Sequence, residues 1–315
     1  MTLAVTRWTR IAPLLIAIFL IGGAHTLKGA NKRIVLIAGR PSHAPGEHEF
    51  RAGSMLLQKA LSGVNGVTVD VITMGWPTKT VDGQTVDDNA ALDNADAVLI
   101  YADGGKGHPA IQRDHVKVLD ALAAKGVGLG FAHYGVEVPA GETGEAMQRW
   151  NAGYYETNFS VNPMWSPAFD KFPNHPVTRG VKPFVGNRDE WYFNMRWTND
   201  AAAMKRVTPI LTAKPGDDVR KGPYVSPPGP YPHIIADSGK VETMMWVYER
   251  PDGGRSFGFT GGHTHTNWGD VNQRKVVLNA LLWIAKVDVP RNGVEDKITP
   301  EDLTVNLDDK PSRRK

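Results

Sequence analysis

The chain has 315 residues, 41% of them hydrophobic, a formal net charge of +3 and no cysteine. That length can bury a sizeable core in one large domain. Acidic and basic residues are interspersed, with no basic block or aromatic-basic stripe, so no nucleic-acid partner is expected. Without cysteine there is no lipoprotein anchor, no disulfide, no thiolate–metal site and no cysteine nucleophile.

Arg7 and Arg10 precede the apolar run 11–21, and Gly22-Gly23-Ala24 offers small residues for cleavage after Ala24. Residues 1–24 read as an export signal, which predicts a periplasmic or secreted protein with no stable membrane insertion after cleavage. The run is shorter than the ~20 residues of a spanning helix, and an uncleaved anchor is the alternative.

From Lys32 the pattern is strand, helix, strand. Residues 34–38 are short, continuous and apolar, as a buried strand is. Phe50, Gly53, Leu56, Leu57, Ala60 and Leu61 recur at helical spacing, and Val67, Val69 and Val71 alternate. Residues 97–101 form a third strand that ends in Asp103-Gly104-Gly105. A helix over 111–125 stops at Gly126, and 127–131 form a fourth strand. This rhythm predicts βαβ units and a mostly parallel sheet flanked by helices.

From about 135 to 232 the rhythm breaks into a long loop-rich insertion holding Trp150, Trp165, Trp191 and Trp197. Loops this long in a domain are usually functional. Strands return at 242–248 and 256–260 around the turn Pro251-Asp252-Gly253-Gly254. The span 271–285 is apolar almost all round and predicts a buried helix. The domain is expected to occupy 32–290, and 291–315 to be a polar surface tail in which Thr299-Pro300-Glu301-Asp302 caps one short helix.

Three histidine-bearing segments fall where strands end, and in open α/β sheets ligands bind at the carboxyl ends of strands. His43, Glu47, His48 and Glu49 follow the first strand, although the two acids would also suit an ordinary helix start. His133 sits in Gly130-Phe131-Ala132-His133-Tyr134-Gly135, which resembles a nucleophile elbow bearing an imidazole. It can act as general acid, base or metal ligand, or be a satisfied turn residue.

His263 and His265 are two apart and would share a face of a strand. They are followed by Thr266-Asn267-Trp268, and Asp189-Glu190-Trp191-Tyr192 adds two carboxylates beside two aromatics. Trp191 and Trp268 would line a pocket and contact a sugar ring, or else be core. His175 reads as a turn cap; His108, His115 and His233 read as surface or structural.

Together, Ser42-His43-x-x-Gly46-Glu47-His48, the strand-end His133, Asn174-His175-Pro176-Val177-Thr178-Arg179-Gly180, Asp189-Glu190-Trp191-Tyr192 and Gly262-His263-Thr264-His265 resemble, in that order, the ThuA-like (trehalose utilisation) family over about 32–285. The resemblance implies a flavodoxin-like fold akin to class I glutamine amidotransferases. Those enzymes carry a cysteine at the elbow. His133 stands there in this chain, so amidotransferase chemistry does not carry over. The resemblance also implies sugar catabolism, including disaccharides oxidised to 3-keto forms. Where typical members have a His-Ser/Ala-Ala run, this chain has His133-Tyr134-Gly135-Val136-Glu137-Val138, which adds the Glu137 carboxylate.

The resulting expectation is an enzyme acting on a small carbohydrate or keto-sugar by acid–base chemistry next to a carbonyl. The catalytic candidates are His133, His43, His263 and Glu190; the substrate-binding candidates are His265, Asn267, Trp268, Trp191, Asp103 and Glu137. One divalent ion, Zn or Mn, would be bound among His43, His48, His133 and His263; no nucleotide cofactor is expected. The alternatives are a non-catalytic sugar-binding module and a metal-dependent hydrolase.

Overall fold

The computed structural model describes residues 31–311; the export-signal reading of 1–24 lies outside them. The strands and helices that frame the site, in chain order, are β1 (Lys32–Ala38), α1 (Phe50–Leu61), β2 (Val67–Ile72), β3 (Ala97–Tyr101), α2 (His115–Ala124), β4 (Gly128–Ala132), α3 (Glu142–Asn151), β5 (Val207–Ala213), β6 (Glu242–Glu249), β7 (Arg255–Phe259) and α4 (Val271–Ile284).

The seven strands form one sheet in the order β5-β6-β7-β4-β3-β1-β2. β2, β1, β3, β4 and β7 run parallel, while β6 is antiparallel to both β7 and β5. β1 lies between β3 and the edge strand β2, and its run from Ile34 to Ala38 is fully buried. Its side chains alternate between two cores: Ile34, Leu36 and Ala38 face the cluster containing α1 and α4, and Val35 and Ile37 face the one containing α2 and α3. A strand covered on both faces must be apolar throughout, which is why it reads as a continuous hydrophobic run.

Two of these framing elements are absent from the periodicity. α3 lies in the glycine- and aromatic-rich stretch, and β5 carries Pro209 with register shifts around Leu211. Proline removes a ladder donor and is confined to edges and bulges; β5 is an edge strand. The rest of the insertion forms two-residue ladders and short helical turns, and one ladder pairs Asp189–Glu190 with Met164–Trp165. Asn279 on α4 donates to the carbonyls of Val177 and Arg179. His175 caps the following 3-10 turn by accepting from the Val177 N–H. Among the described residues, no helix is long and apolar enough to cross a membrane.

The segment after Pro290 does more than cover surface. Thr299 and Asp302 form a capping box on Pro300–Thr304, and the chain then reaches back to the loop after β1, as described next.

Candidate functional site: a buried histidine–glutamate cluster

The loops leaving β1, β4 and β7 converge with the Asp189–Glu190 ladder from the insertion. An antiparallel bridge between Glu47 and Thr264 zips the first and third loops together. The His48 N–H donates to the His263 carbonyl at 2.9 Å and the His265 N–H to the Gly46 carbonyl at 2.9 Å. Asp189 fastens the third loop from the far side, accepting from the N–H groups of Gly262 and Thr264 at 2.9 and 3.0 Å. Glu190, its neighbour on the strand, points the other way, into the cluster.

At the centre, Nε2 of His48 lies 3.0 Å from Nε2 of His133. Oε2 of Glu190 lies 3.4 Å from Nε2 of His133 and 3.1 Å from Nδ1 of His263. The latter nitrogen is buried and makes no aligned hydrogen bond. Asn162 donates to the second carboxylate oxygen of Glu190 at 2.9 Å. One ligand atom from each of His48, His133, Glu190 and His263 lies within 4.8 Å of every other, and all four residues are buried, so this cluster could hold a metal ion.

The far nitrogens fix the tautomers. Nδ1 of His133 faces the Thr260 carbonyl at 3.0 Å, and Nδ1 of His48 faces the Asp103 carboxylate at 2.9 Å. Both partners are acceptors, so both Nδ1 atoms carry protons and, in the neutral rings, both Nε2 lone pairs point into the cluster. The Tyr192 hydroxyl lies 3.3 Å from Nε2 of His133 and 3.4 Å from Glu190. Its single proton can serve only one of them, and it leaves the His48 lone pair unmatched.

The backbone is strained here. His43, His48 and His133 have φ of 61°, 47° and 51°. Left-handed backbone costs a non-glycine residue of order 1–3 kcal/mol and collects at functional sites. At the elbow, Gly135 passes so close to β3 that a Cβ would sit 2.7 Å from the Ile100 carbonyl oxygen. His108, fully buried, braces the same turn by donating to the Gly135 carbonyl at 2.9 Å.

The site separates two acids. Burial pushes the Glu190 carboxyl up, but His133 and His263 outweigh it and bring it down to about 2. The same pairing raises His263 although burial opposes it. Among the described residues no cation acts on Glu137. Burial, reinforced by the charge of Glu190, outweighs the Thr157 hydroxyl bonded to it and raises it to about 7. Burial and the neighbouring imidazoles hold His48 well below its ordinary value.

The structure therefore brings together His48, His133, His263 and Glu190, with Asp103 behind His48 and Glu137 nearby. His43 stands at the rim of the cluster. It is exposed, its ring centroid is 3.6 Å from that of His48, and it groups with His48 and Asp103. His265 leaves the expected strand face. The strand ends at Phe259, Gly262 takes φ 107° and His265 starts a 3-10 turn, so the alternation of a strand is lost. His265 lies instead beside Glu49 and Lys310.

Asn267 is buried and donates to the Arg188 carbonyl. Trp191 and Trp268 are 0% exposed, their indole N–H groups bonded to the Asn187 carbonyl and the Tyr101 hydroxyl. These large apolar rings fill the core beneath the loops, so neither face is open to a sugar.

The residue hardest to find from sequence is Lys310. Its side chain is 3% exposed and ion-pairs with Glu49 at 3.1 Å, and it donates to the carbonyls of Glu47 and His48. The Asp308 N–H donates to Glu49 as well, at 2.7 Å. The tail thus ties down the strained loop that carries His48.

The fold and this imidazole-bearing elbow define a mixed α/β protein with a seven-stranded, mostly parallel sheet flanked by helices. The profile of the ThuA family, described as trehalose utilisation, matches residues 43–284, and the chain belongs to that family. Membership implies a role in trehalose utilisation. A crystal structure of a ThuA-like protein from Bacteroides uniformis shares the fold, with a TM-score of 0.54 over 83% of this chain and 94% of its own, at 14% identity. An AraC family transcriptional regulator from Pseudomonas putida overlaps 33% of this chain and 66% of its own at 17% identity, and its TM-score of 0.22 carries no argument. No curated protein matches the chain.

Two outcomes follow from this geometry. Lys310→Met leaves Glu49 charged and buried without its cation, which should cost about 3 kcal/mol in urea denaturation. Lys59→Met, which breaks the exposed pair with Asp302, should cost less than about 1 kcal/mol. For Glu137, the native state binds the extra proton between pH 4.5 and about 7, so its contribution is lost as pH rises through that window. Glu137→Gln should therefore melt higher than the parent at pH 8, by on the order of 2 kcal/mol, and no higher at pH 4. Melting curves at the two pH values check the sign.

Proposed function

We propose that this protein is an exported enzyme that acts on a carbohydrate or keto-sugar by acid–base chemistry next to a carbonyl, with one divalent cation held by His48, His133, His263 and Glu190. The observation that carries the reading is the convergence of four buried ligand atoms within 4.8 Å of one another. Three imidazoles and a carboxylate without a thiolate suit Zn²⁺ or Mn²⁺. Ligating imidazoles usually donate their other N–H to a carboxylate or carbonyl, as His48 does to Asp103 and His133 to Thr260. Export rests on the sequence of residues 1–24.

When bound, such an ion would polarise a substrate carbonyl. The chain's own residues supply the proton traffic. His43, at the mouth, is held below its ordinary value first by burial, so it is neutral at pH 7 and able to accept a proton. Asp103 faces its ring at 3.8 Å and steadies the imidazolium that forms. Glu137 stays largely protonated up to about pH 7 and can return a proton. The Tyr134 phenol, pushed up to about 12 chiefly by burial, remains a hydrogen-bond donor for a sugar oxygen.

A non-catalytic sugar-binding module would need open aromatic faces rather than converging titratable groups, and the two tryptophans nearest the site are buried. A metal-dependent hydrolase would use the same ligands, and turnover of esters or amides in place of keto-sugars would select it.

Protein purified without chelator should contain about one equivalent of metal. His133→Ala and Glu190→Gln should each lower metal affinity at least roughly tenfold and abolish turnover of 3-keto glycosides, with circular dichroism unchanged. No stoichiometric metal, together with no response of melting temperature or rate to added zinc or manganese, would replace this centre by a metal-free histidine site.

A further inference from the structure

A cavity of about 480 Å³ opens at the carboxyl ends of β1, β2 and β3, within the roughly 300–1,000 Å³ typical of small-molecule sites. The strand order reverses there, since β1 lies between β2 and β3, and such switch points form the usual ligand crevice of open α/β sheets. None of the four cluster residues lines it. The two spaces meet at Asp103, which lines the cavity and also accepts from His48.

Its lining is specific in chemistry. Trp76 stacks on His115 with centroids 4.0 Å apart and planes 9° apart, and the 7% of Trp76 left exposed gives an aromatic strip. Arg113 pairs with Asp87 at 2.7 Å. Arg40, at the end of β1, is exposed and makes no hydrogen bond or ion pair among the described residues. Arg40 and Arg113 are matched in number by Asp87 and Asp103. An anion would be opposed by the carboxylates and a cation by the arginines. A neutral polyol satisfies both, because each hydroxyl donates and accepts. Met74 and Arg113 hold left-handed backbone on the walls, with φ of 69° and 48°, the kind of strain that gathers at ligand sites.

We propose that this cavity is a second sugar subsite. It holds the ring joined to the one that reacts at the histidine cluster, and Arg40 and the Trp76 edge select a substrate of disaccharide size over a free or methylated monosaccharide. The inference rests on the carbohydrate reading above and assigns it a second set of residues.

The test is calorimetric binding of trehalose and of methyl α-D-glucopyranoside, each also in its 3-keto form, to the full protein and two variants. Arg40→Ala removes a side chain that has no partner among the described residues. Gly107→Trp introduces bulk at a cavity-lining glycine whose added Cβ would meet nothing within 4 Å. Metal content and melting temperature report whether each variant keeps the parent fold.

The parent should bind the disaccharide at least roughly tenfold more tightly than the methyl glycoside, and both variants should erase most of that preference by weakening the disaccharide alone. Equal binding of the two sugars by the parent, or a preference that survives in both variants, would overturn the subsite while leaving the carbohydrate reading in place. Binding of none of the four sugars by the parent would overturn the carbohydrate reading and the subsite with it.

Discussion

Two imidazole nitrogens 3.0 Å apart, each with its other nitrogen already donating, confront each other lone pair to lone pair. Inside a protein that contact is unfavourable unless something positive lies with it. A shared proton is one remedy, drawn by the Glu190 carboxylate 3.4 Å from His133 and opposed at His48, which burial and the neighbouring rings hold well below its usual pKa. A divalent cation is the other, and Glu190 and His263 complete a ligand set of the right chemistry. The constraint explains why Asp103 and the Thr260 carbonyl matter as much as the rings they orient. Without these acceptors either imidazole could turn its N–H inward and relieve the contact.

Holding the rings so requires a backbone that would not choose this shape. Three histidines in left-handed conformation persist only where their surroundings over-determine them. Those surroundings are identifiable: Asp189 across the third loop, the main-chain bridge between the first and third, His108 under the elbow and Lys310 over the first loop. Most of these bonds join residues more than fifty positions apart, so the cluster forms only when the whole sheet has folded.

The two acids show how burial alone does not decide charge. Glu190 and Glu137 are both withdrawn from water, yet one is ionised throughout the physiological range and the other titrates near neutrality. Adjacent imidazoles make the difference. Carboxyl groups pushed apart in this way are the usual signature of separate roles.

The sheet was legible because its signal is local. The run from Ile34 to Ala38, the helical spacing after Phe50 and the turn at Pro251 each carry their structure in neighbouring residues. The edge strand with Pro209 was not, because proline and a bulge hide its alternation. The histidine segments could be picked out, as strand ends are, and so could the absence of a cysteine at the elbow. Which rings meet could not. His265 leaves the expected strand face because one glycine and one turn redirect a side chain without leaving a periodic trace. Trp191 and Trp268 lie in the core, and an indole beside a polar residue reads the same in a pocket or a core. Lys310 lay in a segment that sequence offers only as polar. The sequence by itself determined the parallel sheet, the strand-end placement of three histidine loops and the exclusion of thiol chemistry, all properties of local pattern and composition. Only the tertiary structure decided the membership of the cluster, the charge of its two acids and the tail that braces it, because orientation, burial and pairing arise between residues that the chain keeps far apart.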